Sequence, residues 1–145
     1  MANPDPYRTV DSRASAEFTV RGSRFIGHLA PADTVEAAES FVDEVRTTYD
    51  DATHNVPAYR VPAGDGPSRS QGEVMLREYS NDDGEPTGSA GKPALNVLQQ
   101  QEIRNVVAVV TRYYGGTNLG VGGLARAYSR AVKDGLDAAG VVEEE

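Results

Sequence analysis

The amino-acid sequence predicts an α+β fold in which helices pack on a β-sheet in two layers. Residues 16–20 alternate between apolar and polar side chains, and residues 106–110 form an unbroken apolar run rich in valine, two patterns typical of strands. Residues 34–48 and 123–139 instead carry apolar side chains three and four positions apart, which is the spacing of one helix face. The predicted order of elements is β-β-α-β-β-α-β-α, so the helices and the sheet share their apolar faces.

The N-terminal third of the chain is predicted to contain a hairpin and a helix. Residues 1–15 are polar and include two prolines, so we expect a flexible lead-in and place a single domain at residues 16–142. The pair Arg21-Gly22 separates two alternating segments and predicts a tight turn between strands. Asp33 or Thr34 can cap the helix that follows, because a short side-chain oxygen accepts from the free amides at a helix start.

The middle of the chain is predicted to contain two more strands and a second helix. Residues 53–61 predict a strand in which Pro57 favours a sheet edge or a bulge. Residues 73–79 alternate again, and the turn-rich residues 62–72 between the two strands are predicted to form a mobile loop. Pro93 suits the first turn of the next helix, where the missing N–H has no cost.

Composition limits the possible functions. The 145 residues include no cysteine, which excludes disulfides and thiolate zinc sites. No apolar run reaches the roughly 18 residues that span a bilayer, and the first residues lack the pattern of a signal peptide, so we expect a cytoplasmic protein without a membrane partner. The net charge of −8 argues against non-specific nucleic-acid binding. The alternative explanation is a halophile-like surface, since acidic residues far outnumber lysines.

The charge is nevertheless reversed in one interval. Between Glu102 and Asp134 the sequence has no acidic residue, but it has five basic ones: Arg104, Arg112, Arg126, Arg130 and Lys133. The same interval contains residues 115–123, here called the glycine segment, with glycines at Gly115, Gly116, Gly120, Gly122 and Gly123. The glycine segment therefore lies in a locally positive part of an acidic chain.

The glycine segment joins a predicted buried strand to a predicted helix, an arrangement that presents backbone N–H groups and the positive end of the helix dipole to an anion. Arg112, Arg126 and Arg130 can place guanidinium groups beside a phosphate. Tyr113 and Tyr114 can stack on a base. The glycine spacing matches neither the phosphate loop nor the dinucleotide fingerprint. Close packing of the helix on the sheet is the alternative explanation of the glycines.

Residues 82–91 form a second candidate segment. Asp82, Asp83 and Glu85 can hold Mg²⁺ together with water and substrate phosphates, and a turn with solvated carboxylates is the alternative. We expect Thr87 and Ser89 to cap the following helix, because no base can be assigned to activate either hydroxyl.

The chain has two histidines. His54 has polar neighbours and is the histidine considered for a site, whereas His28 is predicted to be structural. Two histidines so placed do not form a metal site, so we expect no bound metal.

The motifs of the chain resemble those of one known family. The matching stretches are SRFIGHLAP at 23–31, ATHNVPAYR at 52–60 and the region from DDGEPTGSAGKPALNV to GLARAYSRAV at 82–132. They occur in the order found in the IMPACT N-terminal domain family, which includes the bacterial YigZ proteins. The resemblance covers nearly all of the chain after residue 15, and RYYGG…LGVGGLARAY is its most specific part. The chain departs from the family pattern at Asn118, where a lysine is usual, and at Val56, where cysteine is frequent.

The resemblance implies the fold of the second domain of small-subunit ribosomal protein S-five. It also implies that the C-terminal ferredoxin-like domain of many bacterial relatives is absent here. Eukaryotic members of the family regulate translation by binding an activator of a starvation-responsive initiation-factor kinase. Association with nucleic acid or with the ribosome is the usual expectation for the isolated domain.

Three functions are therefore open. The first is a non-enzymatic domain that binds RNA or the ribosome, and the second is a module that binds a translation-regulatory protein. The third is a Mg²⁺-dependent phosphoesterase with His54 as the base, which ranks last because the sequence offers no complete set of nucleophile, base and orienting group. We expect binding rather than catalysis, without a required cofactor.

Overall fold

The computed structural model describes residues 6–64 and 75–144. Their elements follow one another in this order: β1 (Tyr7–Val10), β2 (Ala14–Val20), β3 (Ser23–Pro31), α1 (Val35–Thr48), β4 (His54–Pro62), β5 (Leu76–Ser80), α2 (Gly91–Gln100), β6 (Val106–Tyr113), α3 (Gly120–Ala139) and β7 (Val141–Glu144).

Strand β6 is the centre of the larger sheet. The five strands are ordered β2-β3-β6-β4-β5, and each hydrogen-bonded pair is antiparallel. Residues Val106–Val110 are fully buried, as the unbroken apolar run predicts for a strand covered on both faces.

The sheet separates two apolar cores, because successive side chains of a strand point to opposite faces. Val107 and Val109 pack with the buried stripe of α1, whereas Val106, Ala108 and Val110 pack with α2 and α3. The predicted α+β fold with helices on a sheet is confirmed. The helices cover both faces, so the arrangement has three layers instead of the predicted two.

Close contact fixes the position of α3 on the sheet. A Cβ atom at Gly27 of β3 would lie 2.1 Å from the carbonyl oxygen of Ala131 in α3, so only glycine permits this approach. The helix begins at Gly120, three residues before the predicted start, and Gly140 with a φ of 84° ends it as predicted.

The predicted lead-in over residues 1–15 is wrong from Tyr7 onward. Strand β1 pairs with β7 in a small antiparallel sheet, and the carbonyl of Arg8 accepts from the amide of Arg104. The local sequence does not indicate that β1 is a strand, because the partners that satisfy its backbone, in β7 and at Arg104, lie far along the chain.

Pro57 lies inside the sheet, contrary to the predicted edge. Strand β4 lies between β6 and β5, but β5 pairs only with Ala58–Pro62. Pro57, which has no backbone N–H to donate, is therefore the residue just before the β4–β5 pairing begins. The predicted mobile loop at 62–72 falls largely outside the described residues, as does Glu73 at the start of the predicted strand over 73–79.

Two predicted helix starts agree with the structure. The Thr34 hydroxyl accepts from the Ala37 amide at 2.9 Å and caps α1, and Pro93 lies in the first turn of α2. None of the helices in the described part of the chain combines the length and apolar character needed to cross a membrane.

Candidate functional site

The glycine segment begins just after β6 and includes the first turn of α3. The amides of Tyr114 and Gly115 are occupied, since they donate to the hydroxyls of Thr53 and Ser23 at 2.9 and 3.1 Å. Among the described residues, no acceptor bonds the amides of residues 116–122. The α3 N-terminus has no side-chain cap, and residues 116–118 and 120–122 are exposed, so solvent can reach this part of the backbone.

Different structural factors account for glycine at different positions of the segment. A Cβ atom at Gly115 would lie 2.0 Å from the carbonyl carbon of Gly22, so packing against the β2–β3 turn requires glycine there. Gly120 adopts a φ of 76°, which favours glycine whatever the surroundings. At Gly122 a Cβ atom would meet only the flexible end of Arg126, at 3.5 Å. Packing therefore explains Gly115 but not Gly122.

Arginine side chains lie beside the glycine segment. Arg21, Arg126 and Arg130 line a cavity of about 340 Å³ between the β2–β3 turn and α3, here called the arginine cavity. Its apolar lining includes Phe18 and Leu119. In the described part of the chain, no carboxylate or hydrogen-bond acceptor pairs with the exposed guanidinium of Arg126, whereas Arg130 Nε lies 3.3 Å from Asp134 Oδ2.

Arg112 does not belong to this surface, contrary to the prediction. Its side chain is 5% exposed, and its Nη1 donates to both carboxylate oxygens of Glu85, at 2.8 and 3.0 Å. The Ser23 hydroxyl accepts from the other guanidinium nitrogens. A buried guanidinium needs a carboxylate partner, so Arg112 is occupied inside the protein.

The two tyrosines predicted to stack on a base differ in availability. The Tyr113 hydroxyl donates to Asp51 at 2.8 Å, and the guanidinium of Arg24 lies over its ring. Tyr114 is exposed, and its hydroxyl donates to Asn118 at 3.1 Å. The guanidinium of Arg112 also lies over the Tyr114 ring, so each tyrosine has an arginine on its ring, but Tyr114 is the more exposed of the two and presents aromatic surface beside the glycine segment.

His54, Asp83 and Glu85 are brought together; the Glu85 side chain is buried, whereas those of His54 and Asp83 are partly exposed. The His54 Nδ1 lies 2.7 Å from the carbonyl oxygen of Asp83, which can only accept, so Nδ1 carries a proton. Its Nε2 faces Glu85 Oε1 at 3.5 Å. The Tyr128 hydroxyl also donates to Glu85. Burial raises the pKa of Tyr128, and the hydrogen bond to Glu85 raises this pKa further. These residues join β4, the loop before α2, and α3.

The α2 cap is made by Asp82, so the prediction that Thr87 and Ser89 cap this helix is wrong. The Asp82 carboxylate accepts from the amides of Gly88, Ala90 and Gly91 at 2.9, 3.2 and 2.8 Å. The Ser89 hydroxyl instead donates to the carbonyl of Pro86, and Thr87 is exposed. Partial burial raises the pKa of Asp82, but the three amides more than offset this effect and hold it below its ordinary value.

The three carboxylates predicted to share Mg²⁺ have separate partners. Asp82 accepts from amides at the start of α2, Asp83 accepts from the Asn55 amide at 2.7 Å and lies 3.7 Å from Arg46, and Glu85 binds Arg112. Within residues 6–64 and 75–144, no group of three or more Asp, Glu or His side chains is placed to share a metal ion.

Sequence reasoning missed Arg21 as a site residue. Arg21 adopts a φ of 48° at the β2–β3 turn, and the contact between Gly22 and Gly115 places that turn beside the glycine segment. The Arg21-Gly22 pair signals a turn, but nothing local in the sequence indicates which segment the turn will meet.

Comparisons with known proteins agree with this fold and these motifs. The family model of the Impact N-terminal domain matches residues 21–136. The chain is 42% identical over 137 residues to the IMPACT family member YvyE of Bacillus subtilis (strain 168), a match that covers 94% of this chain and 58% of YvyE.

Solved structures show the same architecture. A crystal structure of a hypothetical protein matches with a TM-score of 0.80 and 35% identity, over 96% of this chain and 64% of that one. The two-domain translational regulator Yih1 has a similar fold, with a TM-score of 0.50 and 24% identity, over 95% of this chain and 51% of Yih1. The chain thus spans less than two thirds of each of these relatives. It belongs to the Impact N-terminal domain family.

Proposed function

We propose that this chain is a binding domain that acts in the regulation of translation by contacting RNA, free or in the ribosome. The contact surface consists of the glycine segment, the first turn of α3, and Arg21, Arg126 and Arg130. The proposal includes no catalytic step and no cofactor.

The observation that carries this proposal is the pairing of bare backbone at Gly122 with the guanidinium of Arg126. Glycine inside a helix costs about 1 kcal/mol relative to alanine, and packing does not require it at this position. Free amides at a helix N-terminus together with a guanidinium bind phosphate well. RNA supplies many such groups. At physiological salt the Debye length is about 8 Å, so acidic residues farther than this from the surface oppose the attraction only weakly.

The connection to translation comes from family membership and fold. Yih1, a protein of similar fold, is described as a translational regulator. We extend that role to this chain because its most specific motif, residues 112–128, contains most of the proposed contact surface. The ribosome provides an RNA surface on which such a regulator can act.

A translation-regulatory protein is the second candidate partner. Tyr114, just before the glycine segment, and Val121, within it, are 47% and 59% exposed, so apolar area lies beside the arginines. Exposed aromatic and apolar side chains near arginine are typical of protein interfaces.

Filter binding of a single-stranded RNA across a salt series tests the proposal. The logarithm of the binding constant falls linearly with the logarithm of the salt concentration. For single strands, each lost phosphate contact makes this negative slope shallower by about 0.7. We expect Arg126→Ala to show this reduction and weaker binding, and Arg77→Ala, which removes an exposed arginine on β5, to match the wild type. Equal slopes for all three proteins would exclude the surface. A partner that survives nuclease treatment during co-purification would favour the second candidate.

A further inference from the structure

The guanidinium of Arg130 is the outermost layer of an aromatic stack. The rings of Phe25 and Phe18 are stacked, with centroids 5.4 Å apart and an interplanar angle of 15°. Tyr128 meets Phe25 edge-on from inside the core. Arg130 Cζ lies 3.9 Å from the centroid of the Phe18 ring, so the stack leads from the core to the wall of the arginine cavity.

Arg130 is also held in place. Its Nε lies 3.3 Å from Asp134 Oδ2, one turn further along α3, and its side chain remains 54% exposed. The Arg130 Cζ lies over the Phe18 ring and its Nε contacts Asp134, so these two contacts orient the exposed remainder of this planar, positively charged group. A preorganised group loses less conformational entropy when a ligand binds.

The surroundings of Arg130 form an extended basic track rather than one pocket. A second cavity of about 480 Å³ lies along α3, and Arg126 and Arg130 line both cavities. Arg21 belongs to the first cavity and Lys133 to the second. Asp134 is the acidic residue of the second cavity, and its carboxylate is engaged by Arg130. The track therefore fits an elongated anion.

We propose that single-stranded RNA lies along this face of α3, with one unpaired base stacked on the Arg130 guanidinium. Its phosphates lie beside Arg21, Arg126 and Lys133. This inference rests on the proposed function and specifies the form of RNA. Bases of a single strand can leave their neighbours and stack on an arginine plane, whereas the base faces of a duplex are occupied by stacking within it.

Fluorescence of 2-aminopurine in a short single-stranded RNA tests the stacking. Arg130→Lys keeps the charge but removes the planar surface. Since an exposed contact between arginine and a π face strengthens binding by about two- to fivefold, we expect this variant to bind the single strand about two- to fivefold more weakly and to change the 2-aminopurine signal less. Its affinity for a duplex of the same sequence should be unchanged. Arg77→Lys is the matched control and should behave as the wild type.

The outcomes separate the two proposals. If the wild type binds the RNA, but Arg130→Lys binds it equally well with the same fluorescence change, the stacking is wrong and the proposed function stands. If the wild type binds neither the single strand nor the duplex at an ionic strength of about 0.1 M, where the remaining acidic charge is screened, the proposed function and the stacking both fail.

Discussion

Arg112 and Glu85 form a buried ion pair in which one guanidinium nitrogen contacts both carboxylate oxygens, at 2.8 and 3.0 Å. Arg112 stands near the end of β6, and Glu85 belongs to the loop before α2. Tyr128 of α3 donates to the same carboxylate. The pair therefore ties together the elements that position the glycine segment.

Removal of one partner of this pair should strongly destabilise the protein. Glu85→Gln leaves the Arg112 charge buried without a carboxylate, so we expect the free energy of unfolding to fall by about 3–5 kcal/mol in denaturant titrations. Glu17→Gln breaks the exposed pair with Arg24 and should have a far smaller effect.

A second variant keeps this prediction testable if Glu85→Gln does not fold. Replacing both partners, in Arg112→Met with Glu85→Gln, removes the buried charge and should recover part of the lost stability. A Glu85→Gln protein as stable as Glu17→Gln would show that the buried pair contributes little.

The regular elements were largely predictable from the sequence, but the partners of Arg112 and of β1 were not. The apolar run of β6 and the apolar stripe of α1 are local patterns, and both elements agree with the structure. The Arg112–Glu85 pair and the β1–β7 pairing join residues far apart in the chain. Such contacts depend on the complete topology, which local spacing does not determine.

Stability should decrease in mild acid because of His28. Burial lowers the pKa of His28 from 6.5 to about 4, and its two ring nitrogens are hydrogen-bonded to Ser15 and Thr111. Between these two pH values the unfolded chain binds a proton that the native protein does not. Acid therefore favours unfolding, and this one group should cost about 2 kcal/mol between pH 7 and pH 5.

His28→Gln removes this titrating side chain and leaves every other titratable residue of the chain in place. We expect the variant to be less stable than the wild type at pH 7. Between pH 7 and pH 5, however, the free energy of unfolding of the variant should decrease by about 2 kcal/mol less than that of the wild type. Parallel pH profiles for the two proteins would show that His28 is not the group responsible.

Asp82 should contribute to stability as the cap of α2. Asp82→Ala leaves the amides of Gly88, Ala90 and Gly91 without their acceptor, so the free energy of unfolding should fall by about 1–2 kcal/mol. Asp82→Asn retains an acceptor oxygen and should lose less. Asp50→Ala, at an exposed turn, serves as the control, and an equal loss in Asp50→Ala and Asp82→Ala would contradict the capping role.

Part of the candidate site was also visible in the sequence. The acid-free interval and the glycine segment indicated the basic surface at α3, and Arg126 and Arg130 lie on it. The sequence did not distinguish Gly115, which packs on Gly22, from Gly122, which does not need to be glycine for packing. That distinction depends on the neighbour across the turn and so required the structure.

The most direct test of the account measures stability and RNA affinity on the same Gly122→Ala protein. Alanine meets no backbone at this position, so we expect the free energy of unfolding to rise by about 0.4–1 kcal/mol. The added methyl group covers the backbone that is proposed to approach a phosphate, so RNA binding should weaken by roughly tenfold. Gly115→Ala is the contrasting variant and should be destabilised, because its Cβ atom would collide with Gly22. A Gly122→Ala protein that gains stability and binds RNA as well as the wild type would contradict the proposed surface.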